Sequence, residues 1–74
     1  MGRLLVVTAK QAIRALQRFG YFIHRQRGSH VALKHPDRPG RITVPLHGGD
    51  LKRDVLASIL DQAGLTGEEF ERLL

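Results

Sequence analysis

The spacing of apolar residues changes twice along this chain of 74 residues, and this change constrains the fold more than any other feature. Between residues 9 and 19 the apolar positions recur every three or four residues, which is typical of an amphipathic helix. Between residues 21 and 46 they are aromatic, β-branched or alternate with polar residues, which favours strands. The helical spacing returns between residues 51 and 63. The sequence therefore predicts a helix, several strands and a second helix.

Capping residues indicate where the helices begin and end. Thr8 and Gln11 have the spacing of a capping box, and Gly20 lies where the first helix is expected to stop. Asp50 is a plausible N-cap for the second helix. A second capping-box pattern at residues 66–69 predicts a short third helix behind it.

The central segment divides into three strands that are separated by glycine- and proline-containing turns. The predicted strands cover residues 21–27, 29–35 and 41–46, with residues 36–40 as a loop. Consecutive strands joined by short turns form an antiparallel meander, and both long helices can cover one of its faces. We therefore expect a two-layer α+β fold over residues 1–74 as one domain: a helix, a three-stranded antiparallel sheet, a helix and a short C-terminal helix.

Alternation along the second and third predicted strands indicates which side chains face away from the helices. The apolar residues of both strands belong on the helix side, because successive strand residues point to opposite faces. The opposite face then carries His30, Lys34, Arg41 and, by extension, His47. The first strand is ambiguous, so His24 stays unassigned, and His35 beside Pro36 is interpreted as a turn residue.

Positive charge is concentrated in the first part of the chain. Residues 1–53 contain 11 Lys or Arg and 2 acids, whereas residues 54–74 contain one Arg and five acids. Residues 24–47 hold all four histidines. This distribution favours a polyanionic partner, with a solubilising surface as the alternative.

Composition excludes several classes of protein. The chain has no cysteine and no apolar run near the ~18 residues that a membrane helix needs. We expect a cytoplasmic protein with no membrane partner. Four dispersed histidines make a weak case for a metal site, so we expect neither metal nor cofactor. Ser29 and His30 point to opposite faces of a regular strand, which argues against a serine hydrolase.

Gly48 and Gly49 precede the second predicted helix and are followed by Lys52 and Arg53. Exposed amides, a helix dipole and two cations suit a phosphate. A tight turn into a capped helix explains the same residues, so both interpretations stay open.

Several short motifs resemble those of one family, and their order and spacing agree with it over nearly the whole chain. The motifs are Gly28-Ser29-His30, Val44-Pro45-Leu46-His47, Asp50-Leu51-Lys52-Arg53 and Gln62-Ala63-Gly64-Leu65. They resemble the HicA toxins of bacterial and archaeal toxin–antitoxin pairs, which are similar in fold to the double-stranded RNA-binding domain. The resemblance implies an mRNA interferase that a cognate HicB antitoxin keeps silent.

The resemblance also implies roles for individual residues. His30 matches the catalytic histidine of the family, with Gly28 and Ser29 completing its motif, and His47 matches the histidine of the family's valine–proline segment. Cleavage of RNA also benefits from a second proton carrier, for which His47 is the candidate and water the alternative. RNA supplies its own nucleophile, the 2′-hydroxyl, so the protein needs only proton transfer and cations. The candidates for RNA phosphate binding are Arg25, Arg27, Lys34, Arg41, Lys52 and Arg53.

Two further interpretations remain open. A non-catalytic double-stranded RNA-binding module would explain the charge and the fold equally well, since duplex RNA is recognised by shape and phosphate contacts. A domain that only binds an acidic protein would show no dependence on RNA. Neither gives His30 a special role.

Overall fold

The chain order of helix, sheet and helices is seen directly in the computed structural model, which describes residues 5–74. The elements are α1 (Ala9–Phe19), β1 (Phe22–Arg27), β2 (His30–His35), β3 (Arg38–Pro45), α2 (Arg53–Ala63) and α3 (Gly67–Glu71). The strands pair antiparallel in the order β1-β2-β3. This confirms the predicted α+β arrangement with a short C-terminal helix.

The ends of α1 are those that the capping pattern predicts. The Thr8 hydroxyl accepts a hydrogen bond from the Gln11 backbone at 3.1 Å, and the Gln11 side chain accepts one from the Thr8 backbone at 2.8 Å. Gly20 ends the helix with φ of 117°, a left-handed conformation that glycine adopts without steric cost. Both ends are therefore closed by local interactions.

The start of α2 differs from the prediction. Lys52, and not Asp50, is the N-cap, and its side chain makes no capping hydrogen bond. Asp50 instead forms an isolated antiparallel bridge with Thr8, and the Leu51 backbone donates to the Val7 carbonyl at 2.8 Å. Residues 50 and 51 are thus held extended against the segment before α1, which delays the helix.

Strand β3 is longer than predicted. Arg38 already pairs with His35, so most of the expected loop at residues 36–40 belongs to the strand. A register shift between Lys34 and His35 and the positive φ of Gly40, 78°, accommodate this irregular beginning. Pro39 lacks a backbone donor, which an edge strand such as β3 tolerates.

The core lies between the helices and one face of the sheet. The inward residues of β2 and β3 are the predicted ones, with Leu33 and Val44 fully buried. They pack in one cluster with Leu16 of α1, Ile59 of α2 and Phe70 of α3. Within residues 5–74, no helix covers the opposite face of the sheet. No helix in the described part of the chain has both the length and the apolar character to span a membrane.

His35 is not only a turn residue, contrary to the interpretation of the sequence. It ends β2, it is half-buried, and its ring packs against Tyr21 with 5.0 Å between centroids. Its Nδ1 accepts the Asp37 backbone N–H at 3.0 Å. The His35 imidazole therefore belongs to the structural framework.

Candidate functional site

A shallow depression on the open face of the sheet places one imidazole among guanidinium groups. Its volume is about 170 Å³, and its lining consists of Arg25, Arg27, His30, Ala32, Arg41 and Thr43. No acidic side chain is part of this lining. We call it the arginine depression. An uncompensated cluster of cations with one imidazole suits a negatively charged ligand.

A bulge in β1 explains why two of these arginines face the imidazole. Ile23 pairs with Leu33, but the next pair is Arg25 with Ala32, so His24 is the extra residue. Each residue after His24 therefore faces the side opposite to the one that regular pairing would give it. Arg25 and Arg27 consequently share the face of His30.

The turn that precedes His30 is fixed by backbone interactions. Gly28 has φ of 58°, a conformation that favours glycine at this turn. The Ser29 carbonyl accepts a hydrogen bond from the Leu46 backbone at 2.5 Å, and the Gln26 side chain donates to the Gly28 carbonyl at 3.2 Å. The Gly28-Ser29 segment therefore positions His30 through its backbone.

Across the sheet, β3 completes the depression. Thr43 pairs with Ala32, and Arg41 pairs with Lys34. Lys34 lies on the same face but is half-buried, and it is not part of the lining. Of the predicted phosphate-binding residues, Arg25, Arg27 and Arg41 are thus brought together, with Lys34 further along the face.

His30 and Thr43 also border a second depression, which lies between β3 and α2. Its volume is about 340 Å³, and its other lining residues are Pro45, Asp54, Val55, Ser58 and Ile59. We call it the α2 groove. The sequence analysis did not single out Asp54 or Ser58, because only the packing of α2 beside β3 brings these helix residues near His30.

His47 lies elsewhere, beyond the end of β3. It lines two depressions together with Gly48 and Gly49, one of which includes Lys52 and the other Lys10. It does not line the arginine depression. His47 therefore lies beside the loop before α2, and one of its two depressions adjoins the α2 groove at Pro45 and Val55.

The loop before α2 bends at Gly48 and Gly49. Gly49 has φ of 81°, and Lys52 and Arg53 are exposed at the start of the helix. In residues 5–74 there is no group of three or more His, Cys, Asp or Glu that could hold a metal ion.

One comparison with known proteins identifies the family. The family model described as the HicA toxin of bacterial toxin–antitoxin matches residues 9–65, which are 57 of the 74 residues. No curated protein matches the chain. The matched range begins with α1, ends just after α2 and includes both depressions beside His30. The chain belongs to the HicA toxin family of bacterial toxin–antitoxin systems, in which a toxin is paired with an antitoxin.

Proposed function

We propose that this HicA-family toxin is an mRNA interferase, a metal-independent endoribonuclease in which His30 transfers a proton. The observation that carries the proposal is the arginine depression, where Arg25, Arg27 and Arg41 line the same small space as His30. Three guanidinium groups suit an RNA phosphate, because arginine binds phosphate oxygens through paired N–H donors.

The reaction needs no nucleophile from the protein. The 2′-oxygen of the substrate attacks the adjacent phosphorus, the bond from phosphorus to the 5′-oxygen breaks, and a 2′,3′-cyclic phosphate forms. His30 takes the proton of the 2′-hydroxyl or gives one to the departing 5′-oxygen. Histidine suits either role because its ordinary pKa of ~6.5 lies near neutrality. General acid–base catalysis of this kind supplies roughly 10²–10⁴-fold.

The arginines contribute to the same step. Negative charge accumulates on the phosphate oxygens as the 2′-oxygen attacks, and preorganised cations stabilise that charge. Gly28 and Ser29 form the turn that positions His30. Lys34 on the same face, with Lys52 and Arg53 at the start of α2, would contact phosphates further along the RNA.

The position of His47 favours a role in binding over the role of second proton carrier. It lines the loop depressions together with Lys52 and Lys10, and it does not share a lining with His30. A water molecule at the arginine depression would then complete the proton transfer. RNA bound at both places would follow the sheet face past Pro45 toward the loop.

The proposal includes the partner and the place of action. A HicB-like antitoxin would silence the toxin by covering the basic face, and an acidic surface would fit the arginine depression. Since mRNA is the proposed substrate, the toxin would act in the cytoplasm. A non-catalytic double-stranded RNA-binding module remains the second candidate, because the helix–sheet–helix order suits it equally.

An RNA-cleavage assay in EDTA separates the two candidates. We expect the wild-type protein to cleave RNA, and His30→Ala to lose at least ~10²-fold in rate while staying folded. His24→Ala is the matched control, because His24 is an exposed imidazole on the same sheet outside the arginine depression. Wild-type activity in His30→Ala would refute the assignment of His30. Binding of RNA without cleavage by any variant would support the RNA-binding module.

A further inference from the structure

We propose that the α2 groove is a nucleobase subsite that prefers guanine, with Asp54 and Ser58 as the residues that determine this preference. This inference rests on the proposed function, since it concerns the nucleotide next to the phosphate in the arginine depression. Its basis is the contrast between the two depressions that share His30 and Thr43.

The two depressions that border His30 differ in the charge of their lining residues. The arginine depression has three guanidinium groups and no carboxylate, whereas the α2 groove has the Asp54 carboxylate and no Lys or Arg in its lining. A phosphate is attracted to the first side and repelled from the second. The RNA backbone therefore belongs on the arginine side, and the uncharged base of the same nucleotide belongs in the groove.

The lining of the groove has an apolar part that suits the flat face of a base and a polar part that suits its hydrogen-bonding edge. Pro45 and Val55, which are half-buried, offer an apolar surface for its flat face, and the buried Ile59 lies behind them. Asp54 and Ser58 lie four residues apart on α2, so their side chains are neighbours on one side of the helix. Together they present a polar rim to the edge of the base.

The hydrogen bonds within α2 set the polarity of this rim. Asp54 is acceptor-only when ionised, and one of its oxygens accepts the Val55 N–H at 3.0 Å. The Ser58 hydroxyl oxygen accepts a hydrogen bond from the Gln62 side chain at 3.0 Å, which leaves its proton to donate. A base that fits this rim therefore donates N–H groups to Asp54 and accepts a hydrogen bond from Ser58.

Guanine has this pattern on its Watson–Crick edge, where N1–H and N2–H donate beside the O6 acceptor. A carboxylate can accept both N–H groups as a charge-assisted pair. Adenine and cytosine offer one amino group beside a ring nitrogen that accepts, and uracil offers one N–H between two carbonyls. Each of these would leave a carboxylate oxygen facing an acceptor, which weakens binding.

Binding of uncleavable RNA tests the subsite apart from catalysis. The probes are pentanucleotides with 2′-fluoro sugars, which lack the nucleophile, and with guanine, inosine or adenine at the central position. We expect the wild-type protein to bind the guanine probe about tenfold more tightly than the inosine probe, which lacks the N2 amino group. Asp54→Asn should lose this preference, because an amide offers one acceptor oxygen and one donor.

The matched control is Asp61→Asn, which removes an equivalent exposed carboxylate from α2 outside the groove. It should keep the wild-type preference. Ser58→Ala provides a second test should Asp54→Asn fail to fold, and it should reduce discrimination between guanine and adenine. Equal affinity of the wild-type protein for the three probes would overturn the subsite alone. Failure to bind any RNA would overturn the proposed function and the subsite together.

Discussion

The Nε2 nitrogen of His35 lies 3.3 Å from the backbone carbonyl oxygen of Phe19, so the end of β2 is joined to the end of α1. A carbonyl only accepts, hence Nε2 carries the proton. The other ring nitrogen accepts the Asp37 backbone N–H at 3.0 Å. Both ring nitrogens of His35 are thus engaged, and this histidine serves the fold, whereas His30 is exposed on the open face of the sheet.

Replacement of His35 should therefore lower stability. We expect His35→Ala to reduce the free energy of unfolding by about 1–3 kcal/mol, because two hydrogen bonds and the ring contact with Tyr21 are lost. His24→Ala removes an exposed imidazole and should stay within ~0.5 kcal/mol of the wild-type value. Urea denaturation of both variants measures the difference. Equal stabilities would show that the His35 contacts contribute nothing net.

The His35 ring lies close to Gly20. A Cβ at Gly20 would lie 2.6 Å from Nε2 of His35, and φ of 117° would strain any other residue. We expect Gly20→Ala to destabilise the protein by more than ~2 kcal/mol, since both strain and clash contribute.

Gly40→Ala measures the backbone strain without a steric clash, because φ at Gly40 is 78° but no atom lies within 4 Å of the added Cβ. Its cost should be the smaller of the two, at about 1 kcal/mol. Urea midpoints at a common slope compare the variants. A cost for Gly40→Ala as large as that for Gly20→Ala would remove the His35 clash from the explanation.

The faces of β2 and β3 could be predicted because their large apolar residues, Val31 and Leu33 in β2 and Ile42 and Val44 in β3, alternate with smaller or polar ones. The face of β1 could not, since the bulge at His24 reverses the direction of Arg25 and Arg27 without a mark in the residue pattern. The adjacent apolar residues Phe22 and Ile23 compete for the core in the sequence pattern, and both are half-exposed in the structure.

Contacts between distant segments account for the other differences between the sequence predictions and the structure. Asp50 has the chemistry of an N-cap, but a bridge to Thr8 holds it extended. Asp54 and Ser58 look like ordinary exposed helix positions until α2 is placed beside β3. Local patterns therefore predicted the elements and the position of His30, while contacts between distant segments decided which side chains surround it.

Arg41 allows a test of phosphate binding on the open face. Arg41→Gln should weaken RNA binding and reduce the log–log slope of affinity against salt by about 0.7, as expected for one lost contact with single-stranded RNA. Arg14→Gln is the matched control, because Arg14 is exposed on α1 and lies outside the arginine depression. Fluorescence anisotropy over a series of salt concentrations gives both slopes. An unchanged slope for Arg41→Gln would place the RNA elsewhere.

Phe70 shows that the tail beyond the family match belongs to the core. Its side chain is fully buried in the same cluster as Leu16 and Ile59, although α3 lies after residue 65. We expect Phe70→Ala to cost about 3–5 kcal/mol, which is a large share of the stability of so small a protein. Thermal unfolding followed by circular dichroism checks this. Phe22→Ala, at a half-exposed aromatic residue, should cost much less.

The capping box of α3 makes a small part of the stability depend on pH. The Thr66 backbone N–H donates to the Glu69 carboxylate at 2.8 Å, and this bond, with the Thr66 side chain and the nearby Arg72 and Arg38, lowers the pKa of Glu69 from its ordinary value of 4.5. A lowered pKa in the folded state means that the contribution is present above pH 4.5. It is lost as the pH falls through the lowered value.

Glu69→Gln should remove this dependence, because the amide oxygen still accepts the Thr66 hydrogen bond but carries no charge. We expect its stability to change less than that of the wild-type protein as the pH falls below 4.5. Glu68→Gln, an exposed neighbour in the same helical turn, controls for the loss of one acid. Urea denaturation at several pH values gives the stabilities, and NMR titration of the Glu69 carboxyl gives its pKa directly. A pKa at or above 4.5 would contradict the capping-box explanation.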